Sequence, residues 1–264
     1  LSEIFGYFGA LVIGLILGLT GGGGSILTVP ILVYVLLIDP VIATAYSLFI
    51  VGTTSAFGAT QNYFKGLVDV KTGFLFAIPS FTAVFLTRRY FLPLIPDNII
   101  DTDLIVLTKD KFLMLFFAAI MIYAAYSMLT KPKIVLREIT QKKYIITLII
   151  QNSIIGVIIG LVGAGGGFLI IPSLVLFARL PMKKAVGTSL FIITINSLIG
   201  FLGDAHNPEI DWDFLFVFTS LSVIGIFIGI YLNKFINESQ LKKGFGFFVL
   251  AMASFILFKE LYLV

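Results

Sequence analysis

The chain has 264 residues, 59% of them hydrophobic and only 12% charged, with 25 glycines, 9 prolines and no cysteine. Its mean hydropathy of +1.08 excludes a water-soluble globule, in which about 25% of residues carry charge, and the absence of cysteine excludes disulfide and thiol chemistry. The net charge of +4 is the basic loop bias of a polytopic membrane protein rather than a nucleic-acid footprint.

Ten apolar segments follow in chain order, at 4–20, 25–38, 41–60, 71–90, 111–130, 144–162, 167–178, 183–202, 212–232 and 243–262. A full span takes about 20 residues. Segments 25–38 and 167–178 fall short, and each directly follows a glycine cluster. They are either tilted short spans or half-helices of a re-entrant hairpin. The expected fold is an all-α polytopic membrane protein with eight to ten transmembrane helices, short or broken after the Gly-rich motifs.

The two glycine clusters are copies of one another. Gly18-Leu-Thr-Gly-Gly-Gly-Gly-Ser-Ile-Leu-Thr-Val-Pro30 recurs 142 residues later, without a gap, as Gly160-Leu-Val-Gly-Ala-Gly-Gly-Gly-Phe-Leu-Ile-Ile-Pro172. The same offset pairs Ser47-Leu-Phe-Ile50 with Ser189-Leu-Phe-Ile192, Ser55 with Ser197, Gly58 with Gly200, Asp69 with Asp211 and Ser80 with Ser222. Leucines and phenylalanines coincide by chance in any apolar chain; matched Gly, Pro, Ser and Asp do not. The chain therefore reads as two repeats of five segments, 1–130 and 144–264, joined by a basic linker, 131–143.

Cytoplasmic loops carry the excess of Lys and Arg. The linker holds Lys131, Lys133, Arg137, Lys142 and Lys143, which places it inside. Alternation then puts 61–71 (Lys65, Lys71), 179–184 (Arg179, Lys183, Lys184) and 233–243 (Lys234, Lys242, Lys243) inside as well. The acidic loops fall outside: Asp39-Pro40, the Asp-rich 91–110, and 203–213 with Asp204, Glu209, Asp211 and Asp213. Five segments per half set equivalent loops on opposite sides, so the charge bias describes an inverted-topology repeat. Arg88-Arg89, near the outer face, is the one dissenting feature.

The two Gly-rich/Pro blocks, each followed by a small-polar segment such as Ala185-Val-Gly187-Thr188-Ser189-Leu, resemble the TauE/SafE sulfite-exporter family. The resemblance covers nearly the whole chain and is most specific from Gly160 to Ser189. In the first copy Ala45-Tyr46-Ser47 stands where the second has Gly187-Thr188-Ser189. The resemblance implies an integral protein of a prokaryotic plasma membrane that moves small sulfur oxyanions or sulfonates, with a coupling proton or cation.

The residues point to an anion on independent grounds. Glycine clusters break helices, and broken helices within a bilayer are tolerated only where protein or a water-filled cavity surrounds them. Paired breaks at matching positions of a duplicated chain point to a transporter's binding site. A helix restarting after a break presents unpaired N–H groups and its positive dipole end to an anion, so no basic side chain is required. The candidate substrate-binding residues are Gly23, Gly24 and Ser25 at the first restart, Gly165, Gly166 and Gly167 at the second, and Ser47, Thr188, Ser189 and Asn196 in the segments that follow. Isolated glycines such as Gly14, Gly18, Gly225 and Gly229 read as helix-packing positions. Most other buried Ser and Thr read as helix–helix or back-bonding hydroxyls.

Asp204 and His206, the lone histidine, are the candidates for proton coupling. Trp212 and Tyr144 read as interfacial anchors, and the Asp-rich 97–111 loop as solvated surface because it lacks a calcium-loop pattern. No metal ligand set, cofactor motif or nucleic-acid footprint is expected. The partners are the lipid bilayer, a small sulfur-containing anion and a coupling ion; oligomeric state is not readable. Without a nucleophile, a metal cluster or an intramembrane carboxylate pair, an enzyme is not expected. An alternating-access transporter is the leading reading; a passive anion channel and a non-transporting accessory subunit are the alternatives.

Overall fold

The structure, a computed structural model, describes residues 2–102, 105–130, 141–163, 166–176, 178–204, 210–235 and 237–262. These residues form ten helical segments: α1 (Ser2–Thr20), α2 (Ser25–Val35), α3 (Pro40–Phe64), α4 (Val70–Leu94), α5 (Lys109–Leu129), α6 (Gln141–Val162), α7 (Gly167–Leu176), α8 (Met182–Asp204), α9 (Trp212–Leu232) and α10 (Glu238–Tyr262). Ile31–Val35 in α2 and Thr87–Phe91 in α4 wind as π-helix. Within the 97–111 loop, read from the sequence as solvated surface, Asn98–Thr102 pairs antiparallel with Ile105–Thr108 as a small hairpin. Linker residues 131–140 lie outside the described residues.

Among the described residues, four helices are long and apolar enough to cross a bilayer on their own: α3, α4, α8 and α9, at 25, 25, 23 and 21 residues. The 10-residue α7 runs only about 15 Å at 1.5 Å per residue, half of an about 30 Å hydrocarbon core. Large apolar side chains face outward along the bundle, among them Phe8, Leu86, Ile154, Phe216 and Phe258. In water that surface would aggregate; in lipid it is the ordinary exterior.

Local chemistry sets the helix starts. Asp39 accepts hydrogen bonds from the Val41 and Ile42 amides at 2.9 and 3.3 Å, with Pro40 at the first helical position, and so opens α3. Asp69 opens α4 by accepting from the Thr72 amide at 3.0 Å, and Asp211 opens α9 by accepting from Phe214 at 3.0 Å.

Packing partners come in pairs related by the 142-residue offset. α1 lies along α9 and α6 along α4; α3 meets α9 and α8 meets α4; α3 and α8 pack on each other, as do α5 and α10. The residues at the contacts match too. A Cβ on Gly14 would strike the Ser222 carbonyl, and one on Gly156 the Ser80 carbonyl. Glycine lets these backbones touch, which is the small-residue packing expected of Gly14, Gly18, Gly225 and Gly229.

Candidate functional site

Both glycine clusters interrupt the helix. Gly21 turns the chain with φ +74° and Gly163 with φ +70°, a left-handed conformation that costs a glycine little and any other residue more. Each closes its helix in the same way, with Gly21 donating to the Leu17 carbonyl and Gly163 to the Ile159 carbonyl, both at 2.8 Å. α2 and α7 each restart four residues on. A left-handed residue lies shortly beyond each short helix, Leu37 at φ 57° and Arg179 at φ 54°.

The two breaks meet. A Cβ on Gly22 would lie 2.6 Å from the Gly167 backbone, so the first glycine turn sits directly against the start of α7. Ser189 on α8 donates to the Gly21 carbonyl and, at 2.8 Å, to Val186, and so ties the second repeat to the first turn. Its counterpart Ser47 on α3 is fully buried and its hydroxyl has no hydrogen-bond partner among the described residues. Asn196 accepts from Ser80 Oγ at 2.9 Å, while its amide nitrogen, also fully buried, is unpartnered.

The remaining sequence candidates are distributed as follows. Gly23 donates its amide to Thr20 Oγ1 at 2.7 Å. Gly24 packs against the α1 backbone, where a Cβ would come 2.6 Å from the Leu17 nitrogen. Ser25 donates to the Gly22 carbonyl at 2.7 Å and so braces the turn. Gly166 takes φ +69° and lies against Ile159. Thr188 accepts from the Asp69 amide at 2.9 Å, just as Tyr46 accepts from the Asp211 amide at 2.7 Å. Gly165 and His206 lie outside the described residues. The structure thus brings Gly22, Gly167, Ser25 and Ser189 to one place, and occupies Thr188 in holding the start of α4.

Asp204 has a partner that was not among the sequence candidates. Arg88, on the π-helical stretch of α4, donates Nε to Asp204 Oδ2 at 2.6 Å and forms an ion pair with the same carboxylate. The signal was present in the sequence as the Arg88-Arg89 charge in an apolar run, since an intramembrane arginine is a functional candidate by default. Arg89 is exposed. At the other end of α3 from Thr44, Lys65 follows the helix, and partial burial with nearby Lys234 pushes its ammonium below the usual lysine pKa. No group of three or more metal-ligating side chains occurs among the described residues.

An apolar helical bundle with two apposed helix breaks in its interior has the form of a membrane transport protein. The chain belongs to the sulfite exporter TauE/SafE family, whose model matches residues 7–256. It is similar to a probable membrane transporter protein of Xylella fastidiosa (strain 9a5c), 27% identical over 94% of this chain and 92% of that one. A probable membrane transporter protein of Methanocaldococcus jannaschii is 37% identical over 41% of this chain and 43% of its own. No solved structure matches the chain significantly.

Proposed function

We propose that this chain carries a small sulfur-containing anion, such as sulfite or a sulfonate, across a prokaryotic plasma membrane by alternating access. The anion sits where the two glycine breaks meet. The observation that carries this reading is the apposition of Gly22 and Gly167; Ser47 Oγ on α3 and Asn196 Nδ2 on α8, fully buried and without partners among the described residues, add donors on the helices that follow the breaks. Unmet hydrogen-bonding capacity in an apolar interior is costly, and an oxyanion accepts from both donors. Restarting helices add partial positive charge at the same place.

The two halves are read as an inverted repeat, with 131–143 in the cytoplasm. The support is the flip of loop charge between halves and the pairing of contacts at a fixed offset. In such a protein one half rocks against the other around a fixed site.

The test is sulfite and methanesulfonate flux into liposomes holding the purified chain. Saturable flux without single-channel currents is expected. Gly22→Ala, which drives a methyl into the Gly167 backbone, should lower flux tenfold or more. Flux unchanged in that variant overturns the site, and resolved anion currents would replace the carrier with a channel.

A further inference from the structure

Arg88 is a fully buried arginine that fastens four helices together. It contacts Asp204 at the end of α8, donates to Thr44 Oγ1 on α3 at 2.9 Å, and donates to the Gly160 carbonyl on α6 at 3.3 Å. The Arg88 side chain is 0% exposed and that of Asp204 16%. So much else in this molecule occurs twice that a contact occurring once stands out. The repeat counterpart of Arg88 is Ile230, and that of Asp204 is Asn62, whose amide turns back to the Gly58 carbonyl at 2.9 Å.

The comparison between halves separates packing from chemistry. At Ile230, which is 6% exposed, the fold closes with an aliphatic side chain. An ion pair is therefore no requirement of this helix arrangement, and a buried pair is a poor way to gain stability over apolar packing. The guanidinium also stands beside the second glycine break. Thr44, its acceptor, covers the left-handed Gly163, where a Cβ would come 2.5 Å from the Thr44 Cβ. Arg88 rides on a π-helical stretch, a distortion frequent at functional positions.

The geometry points to Arg88 as an oxyanion-binding residue of the transport path, kept occupied by Asp204 at one mouth of the protein. This rests on the reading of the glycine breaks as the anion site. A guanidinium offers paired donors that fit two oxygens of a sulfite or sulfonate as well as two of a carboxylate. An anion at the second break competes with Asp204 for those donors. When it wins, Asp204 is released and the tie between α4 and α8 opens. At the repeat-equivalent positions Asn62 and Ile230 there is no such tie among the described residues, so the anion acts as the key at one face only.

Sulfite and methanesulfonate binding to the purified full chain tests the assignment, with calorimetry as the readout and each variant first required to elute as the native protein does. Asp204→Asn weakens the competitor and should tighten binding at least threefold, an effect that a purely structural tie would not produce. Arg88→Gln should weaken binding tenfold or more. Arg88→Lys keeps the charge without the fork and should fall between; it decides the matter if Arg88→Gln does not fold. Native affinity in the Arg88 variants, or loss of affinity in Asp204→Asn, overturns the assignment. If the native chain binds neither anion, the reading of the breaks fails with it. If the native chain binds, Gly22→Ala does not, and the Arg88 variants bind normally, only the role of Arg88 falls.

Discussion

Ser47 and Ser189 occupy the same position of the two repeats and are differently employed. Ser189 is bonded to the first glycine turn; Ser47 is buried with its hydroxyl idle. The two alanine substitutions should therefore part company. Ser189→Ala removes a made hydrogen bond and should cost about 1 kcal/mol. Ser47→Ala removes an unmet one and should leave thermal stability unchanged or raised, while weakening sulfite binding severalfold. Unfolding in detergent with and without sulfite reads both, since a ligand of the folded state raises its stability. The helix caps behave as true equivalents. Asp69→Ala and Asp211→Ala each delete an amide acceptor at a helix start, and each should cost about 1 kcal/mol in the same assay. Unequal losses would show that the Tyr46 and Thr188 contacts to those turns are not interchangeable.

The helices of this protein owe their places to glycines that carry no chemistry. Gly14 and Gly156 let α1 and α6 lie with their backbones on the carbonyls of Ser222 and Ser80. Gly14→Leu and Gly156→Leu should both abolish folded protein in size-exclusion profiles. The alanine versions should lower stability by about 1–3 kcal/mol, the usual cost of overpacking. Close similarity between the two alanine effects is expected because the two contacts are built alike. The breaks themselves were legible in the chain, because consecutive glycines in an apolar run have no packing explanation as simple as a turn. The hairpin at Asn98–Thr108 was not. Its Ile99, Ile100, Ile105, Val106 and Leu107 favour strands, but the aspartates among them give the stretch the composition of a solvated loop.

Across the whole molecule, α3 and α8 cross at its centre, with Gly52 against Leu198, Gly58 against Leu190 and Gly200 against Leu48. In the alternating access we propose, a rocking motion about this crossing uncovers Ser47 and Ser189 in turn. The chain holds no cysteine, so single thiols can be introduced without background. Ser47→Cys and Ser189→Cys should react with a membrane-impermeant maleimide from opposite faces of sealed vesicles, and sulfite should change both rates. Labelling of both from one face would contradict the inverted arrangement. The Arg88–Asp204 tie adds an asymmetry that the repeat does not have, and makes the two faces unequal in how they open.

Composition and residue order alone determined that this is a helical membrane protein, that its motifs recur at a fixed offset, and where its helices break. Those are properties of neighbours along the chain: apolar run length, glycine clusters and a fixed offset. Tertiary structure decided which candidate side chains have a hydrogen-bond partner among the described residues and which do not. Thr188 and Ser25 carry the right hydroxyls, yet they bond to the Asp69 amide and the Gly22 carbonyl. Arg88 looked like a misplaced surface charge until the fold set Asp204 beside it across 116 residues of chain. Hydrogen-bond occupancy and burial depend on what other segments bring into reach, and no local pattern of residues encodes that.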